Sequence, residues 1–63
     1  MDLKTDSPPE DKKRVIFAAL VALQDKGTDV ARSREQVARR FGLTPEVMRE
    51  IELEGISHEW PPL

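Results

Sequence analysis

The chain contains no cysteine and no tyrosine, a single histidine and only three glycines. Without cysteine, neither a disulfide framework nor a thiolate metal site can hold it together. A metal site at the single His58 would need carboxylates such as Glu54 and Glu59, no His and Asp constellation stands near Ser33, Thr44 or Ser57 to make a nucleophilic triad, and His58 reads as a surface residue. Long apolar runs are also missing. The longest is VIFAALVAL, Val15 to Leu23, which as a helix would rise about 13 Å against the roughly 30 Å of a bilayer core. It is no membrane span. The N-terminal MDLKTDSPPEDKK does not have the basic-then-apolar layout of a signal peptide, so a cytoplasmic protein is the expectation. Alternating β-branched runs are absent as well, which argues against a sheet.

What is present is a 63-residue chain rich in Ala, Leu, Glu, Arg and Lys, with 35% charged residues and a net charge of −2. That length permits one domain, close to the lower limit for folding without staples. The strong helix formers predict an all-α fold, a small three-helix bundle. Residues 1–8 read as a flexible N-terminal tail, with Ser7 available as a helix cap, and residues 9–63 as the folded domain. Three helices are expected, over about 9–26, 34–41 and 45–54 or longer.

Local signals mark the ends of each. Glu10 and Asp11 sit at the positive end of the first helix and Lys26 at its negative end, and Gly27 supplies a left-handed stop. Ile16, Ala19, Leu20 and Leu23 form its inward stripe at i, i+3, i+4, i+7. Val15, Phe17 and Val21 fall beside or beyond that stripe, which makes them candidates for contact with a second protomer or a larger protein. Thr28 to Arg32 read as a link, and Ser33 with Gln36 reads as a capping box for the second helix. That helix would present Val37, Ala38 and Phe41 inward before Gly42 ends it. Thr44 caps the third helix and Pro45 occupies its first position. Its inward set is Met48, Ile51, and Leu53 or Ile56. Gly55 either ends this helix or is carried within it, and Trp60 with Leu63 folds back over the core.

One constellation carries a mechanism. Around Gly42, the small Ala38 lies four residues earlier, Val37 and Phe41 precede the turn, and Leu43, Met48 and Ile51 follow it. That is the apolar and small-residue pattern of a helix–turn–helix, two helices joined by a three-to-four-residue turn. Its charge is divided. Between Arg32 and Leu43, Arg32, Arg34, Arg39 and Arg40 oppose Glu35 alone, a balance of +3. From Thr44 onward Arg49 stands against Glu46, Glu50, Glu52, Glu54 and Glu59, a balance of −4. Such a motif grips phosphates with its first helix and flanks and reads base edges with the start of the second. Arg32, Arg34, Arg39 and Arg40 suit phosphates. Thr44, Glu46, Val47, Arg49 and Glu50 would face the bases, where Arg49 can pair with guanine, Glu46 or Glu50 can accept from cytosine, and Val47 can touch a thymine methyl. The remaining carboxylates would repel the backbone, so the same residues also permit a protein-interaction module in which Val47 and Leu53 meet a basic partner. Charge pairs such as Glu46 with Arg49 are weak surface effects.

The stretch Ser33 to Ile56, SREQVARRFGLTPEVMREIELEGI, resembles the fourth conserved region of the sigma-70 family, where a helix ends in a glycine turn and a capped helix follows with V-R-x-I-E-x-E-x-apolar. Here those positions are Met48-Arg49-Glu50-Ile51-Glu52-Leu53-Glu54-Gly55-Ile56. The chain as a whole, with its EWPPL ending, also resembles very short sigma-like bacterial proteins. The resemblance implies duplex DNA as a partner, read in the major groove, and RNA polymerase as a second. It implies a role in transcription regulation or initiation. Three positions depart from the pattern: Val47 where a basic or polar residue is usual, Leu53 where Arg is usual, and Gly55 where Ala is common. The loss of Arg at position 53 weakens the DNA grip. A single unit of this size would need a second copy or a larger complex for useful affinity. No cofactor is implied, no phosphate-cradling glycine loop is present, and catalysis is not expected.

Overall fold

A computed structural model describes residues 8–62. Within it, α1 spans Glu10–Asp25, α2 Val30–Phe41 and α3 Pro45–His58, and each helix packs on the other two. The fold is the expected all-α three-helix bundle. The tail reading at residues 1–7, the Ser7 cap and the packing of Leu63 lie outside the described residues. Pro9 stands at the N-cap position of α1 and no side chain caps it.

The core is a single cluster of Ile16, Phe17, Leu20, Val37, Met48, Ile51 and Trp60, with Ala19, Leu23, Ala38, Phe41 and Leu43 packed around it. Phe17 is only 1% exposed. It is therefore a core residue and cannot be the protein contact that its position beside the stripe suggested. The cause lies in α3: Gly55 is buried directly beneath the Phe17 ring, and a Cβ at position 55 would overlap that ring. Glycine thus lets α1 and α3 approach closely, and Gly55 is carried inside the helix instead of ending it. Val21 is half-buried against the same cluster, which leaves Val15, 58% exposed, as the open apolar residue of α1.

Turn chemistry sets the helix ends. Gly27 has φ +96° and closes α1, with the Thr28 N–H donating to the Leu23 carbonyl and the Gly27 N–H to that of Gln24. The second helix starts earlier than the capping-box reading placed it. Asp29 is its cap, the carboxylate accepting from the Arg32 N–H at 3.3 Å. Ser33 lies inside α2, fully buried; its hydroxyl donates to the Val30 carbonyl at 2.7 Å and accepts from the Gln24 amide at 3.1 Å. Gln36 is exposed and takes no part in a cap. Position 33 holds a small polar side chain where Gln24 of α1 comes within hydrogen-bonding distance.

The phase of α3 also differs from the expected one. Met48, Ile51 and Gly55 face the core, whereas Leu53 is 60% exposed and Ile56 is 54% exposed. Gly55 takes the inward position that either of those two would have filled. Glu59 ends the helix at φ +51°, and the Trp60 N–H reaches the Gly55 carbonyl at 3.0 Å. Trp60 then folds back as expected. Its ring meets Phe17 edge-on at 6.0 Å and stacks with His58, while the Arg14 guanidinium lies over it at 5.6 Å.

Candidate nucleic-acid interface

The turn between α2 and α3 is Gly42, Leu43 and Thr44, followed by Pro45 at the first position of α3. Gly42, at φ +68°, adopts the left-handed conformation that glycine tolerates best, and it lets the Leu43 N–H donate back to the Ala38 carbonyl at 2.8 Å. Thr44 then accepts the Val47 N–H on its hydroxyl oxygen at 3.2 Å, and Pro45 opens α3 where no amide hydrogen is needed. With Leu43 tucked against the core, these residues aim the first turns of α3 while Met48 and Ile51 anchor its inner side.

Arg32, Arg39 and Arg40 are exposed on one face of α2, where with Glu35 and Gln36 they line a shallow concavity. Arg39 approaches Glu35 at 3.8 Å, an exposed pair one turn apart, and the Arg40 guanidinium sits 5.7 Å from the centre of the Phe41 ring. Neither arrangement consumes the charge. Arg34 is different. Its Nε is 2.6 Å from the Glu52 carboxylate of α3, whose side chain is only 12% exposed. The fourth arginine expected at phosphates is thus committed to holding α2 against α3. The pair is only partly shielded from water, so its loss costs about 1 kcal/mol rather than the several of a fully buried pair.

Across the turn, Thr44, Glu46, Arg49 and Glu50 are exposed on the outer side of α3. Among the described residues Arg49 has no ion-pair partner, so the expected Glu46–Arg49 pair is not formed; instead Arg49 lines a groove with Arg34, Arg39, Ala38, Leu43 and Met48. Arginines of both helices therefore border one surface depression with an apolar floor. Val47 departs from its expected role. It is half-buried and packs on the core cluster, so it offers little surface to a base or a partner.

Three features escaped sequence reasoning. Asp29 is as good a cap residue as Ser33, and the helix formers Ala31 and Arg32 between them were the available signal. The Arg34–Glu52 and Lys13–Glu54 pairs, the latter at 3.0 Å, join residues 18 and 41 positions apart, and no local pattern announces them. Among the described residues no group of three or more His, Cys, Asp or Glu side chains gathers to hold a metal ion, and no helix is long and apolar enough to cross a membrane. Compared with known proteins, the chain matches no family model, no curated protein and no solved structure.

Proposed function

We propose that this chain is a non-catalytic helix–turn–helix module that binds duplex DNA, working in the bacterial cytoplasm in transcription regulation or initiation. The observation that carries this reading is the turn itself. Gly42, Thr44 and Pro45 present Thr44, Glu46, Arg49 and Glu50 to solvent, next to the exposed Arg32, Arg39 and Arg40 of α2. In this reading the α2 arginines neutralise phosphates and set the register, and the start of α3 enters the major groove. Arg49 would read guanine through its two parallel donors, and Glu46 or Glu50 would accept from the cytosine amino group. The resemblance of Ser33–Ile56 to the fourth region of sigma-70 proteins supports the same assignment. A unit this small reaches useful affinity only beside a second copy or within a larger complex such as RNA polymerase.

Fluorescence anisotropy with labelled duplexes, from roughly 50 to 200 mM salt, tests the reading. Binding should weaken linearly in log salt, and the Arg39→Ala/Arg40→Ala variant should flatten the slope by about 1.8, two phosphate contacts at about 0.9 each. Arg49→Ala should relax preference among sequences, with about 1–3 kcal/mol of discrimination lost. No association at low salt, or an unchanged slope in the double variant, would reject DNA as the partner.

A further inference from the structure

The groove between α2 and α3 encloses about 480 Å³, within the roughly 300–1,000 Å³ typical of small-molecule sites. Its floor is apolar, formed by Ala38, Leu43 and the buried Met48. Arg34 and Arg39 of α2 stand on one side of it and Arg49 of α3 on the other. The three guanidiniums are not equivalent. Arg34 is fixed in place, because its Nε donates to the Glu52 carboxylate at 2.6 Å. That bond uses one of its five N–H donors and leaves the others for a ligand. Arg39 lies 3.8 Å from Glu35, and Arg49 has no ion-pair partner among the described residues. Three guanidiniums against the carboxylates of Glu35 and Glu52 leave the groove a balance of +1.

An apolar floor under a slightly positive rim discriminates among occupants. Phosphates of a duplex would satisfy the guanidiniums and leave the floor uncovered. A partner helix docks through a stripe at i, i+3, i+4 and i+7, and three floor side chains, one of them buried, are too few to receive it. A second copy would offer Leu53 and Ile56, its large exposed apolar pair on α3. Arg49 lies one turn before Leu53 on that helix, so this docking would set guanidinium against guanidinium. What matches the groove is a small molecule with a single negative charge and one apolar body. A carboxylate pairs with guanidinium groups through two parallel hydrogen bonds, and one such charge neutralises the balance of +1. We propose that the α2–α3 groove binds a small amphipathic carboxylate, its head held by Arg34 and Arg49 and its aryl or short acyl body lying on Ala38, Leu43 and Met48. Arg39 and Arg49 are also assigned to phosphate and guanine in the DNA reading, so an occupied groove excludes the duplex. That consequence rests on the DNA reading, whereas the site itself does not.

The test uses the full chain, isotopically labelled and titrated with phenylbutanoate. Two controls separate head from body: acetate, which lacks the apolar part, and phenylbutanol, which lacks the charge. Shifts should concentrate on the amides of Ala38 and Leu43, the Met48 methyl group and the Arg49 side chain. Phenylbutanoate should bind about tenfold more tightly than either control. Arg49→Ala should lose roughly that factor with an unchanged helical circular-dichroism spectrum, since Arg49 is exposed and holds no other element. Glu35→Gln, which makes the rim more positive, should strengthen binding. Equal binding of phenylbutanol, shifts centred on Leu53 and Ile56, or unchanged affinity in Arg49→Ala would overturn the proposal. In the duplex anisotropy assay, phenylbutanoate should release the DNA over the concentrations that fill the groove, and phenylbutanol should not. A duplex that stays bound to a filled groove would overturn the exclusion. Failure to bind any duplex would reject the DNA reading alone, the ligand titration still deciding the site.

Discussion

Helices α2 and α3 have similar lengths and are separated by only three residues, yet they dispose of their charges in opposite ways. Of the four arginines around α2, three remain at the surface with weak or no pairing, and only Arg34 turns to a neighbouring helix. Of the five glutamates from Thr44 onward, Glu52 and Glu54 are drawn into ion pairs with α2 and α1. The outward balance is therefore milder than the linear count: three arginines against Glu35 on one helix, and Arg49 against Glu46, Glu50 and Glu59 on the other. The acidity of a segment is not the acidity of its exposed face. Part of it is spent tying the bundle together, and this is how a glutamate-rich helix remains a candidate for approach to DNA.

The most severe way to break this arrangement is to disturb the close approach that sets the phase of α3. Gly55→Ala would place a methyl group inside the Phe17 ring, so a loss of about 3 kcal/mol in urea unfolding is expected, despite the better helix propensity of alanine. An unchanged or raised midpoint would mean that α1 and α3 are further apart.

The next largest effect separates the structural carboxylates from the repulsive ones. Glu52→Gln removes the partner of Arg34, and stability should fall by about 1 kcal/mol, since the pair is only partly shielded from water. Low-salt DNA affinity should rise in the same variant, because one negative charge is gone and Arg34 is released towards the groove it shares with Arg39 and Arg49. Parallel urea and anisotropy measurements read both. A fall in both quantities would show that Arg34 serves DNA only while Glu52 holds it.

Thr44→Ala and Asp29→Ala compare the caps of the two helices. Each removes one side-chain acceptor from a helix start, and each should cost about 1 kcal/mol in thermal or urea unfolding. Ser33→Ala distinguishes a cap from a core residue: it should alter the environment of Gln24, visible in its side-chain amide resonance, without fraying the start of α2. The smallest change is Glu35→Gln, which loosens an exposed pair worth about 0.3 kcal/mol to the fold. It should tighten DNA binding slightly while leaving the unfolding midpoint almost in place.

Much of the bundle was legible from local rules because its determinants are local. Gly27 and Gly42 stop helices through their own backbone freedom, and Thr44 with Pro45 starts one through a hydrogen bond three residues away. The Ile16, Leu20, Val37, Met48 and Ile51 core follows helical periodicity. Reading failed where two local solutions were equivalent. Ser33 and Asp29 are both good caps, and the choice falls to Asp29 because Ser33 is taken up by Gln24 and the Val30 carbonyl. Leu53 and Ile56 stay outside for another reason: they lie two and five residues beyond Ile51, about 200° and 140° round the helix axis, whereas Gly55, four beyond Ile51, holds the inward position against Phe17.

The sequence by itself determined that the chain is helical, where its two glycine turns fall, and that positive charge precedes the second turn while negative charge follows it. These properties depend on residues within a turn or two of one another. Tertiary structure alone decided which charges are free: Arg34, Glu52, Lys13 and Glu54 are settled by contacts 18 and 41 residues apart. It likewise decided that Leu53 and Ile56 form an open ridge, because the rotation of α3 about its axis is set by what α1 packs against it.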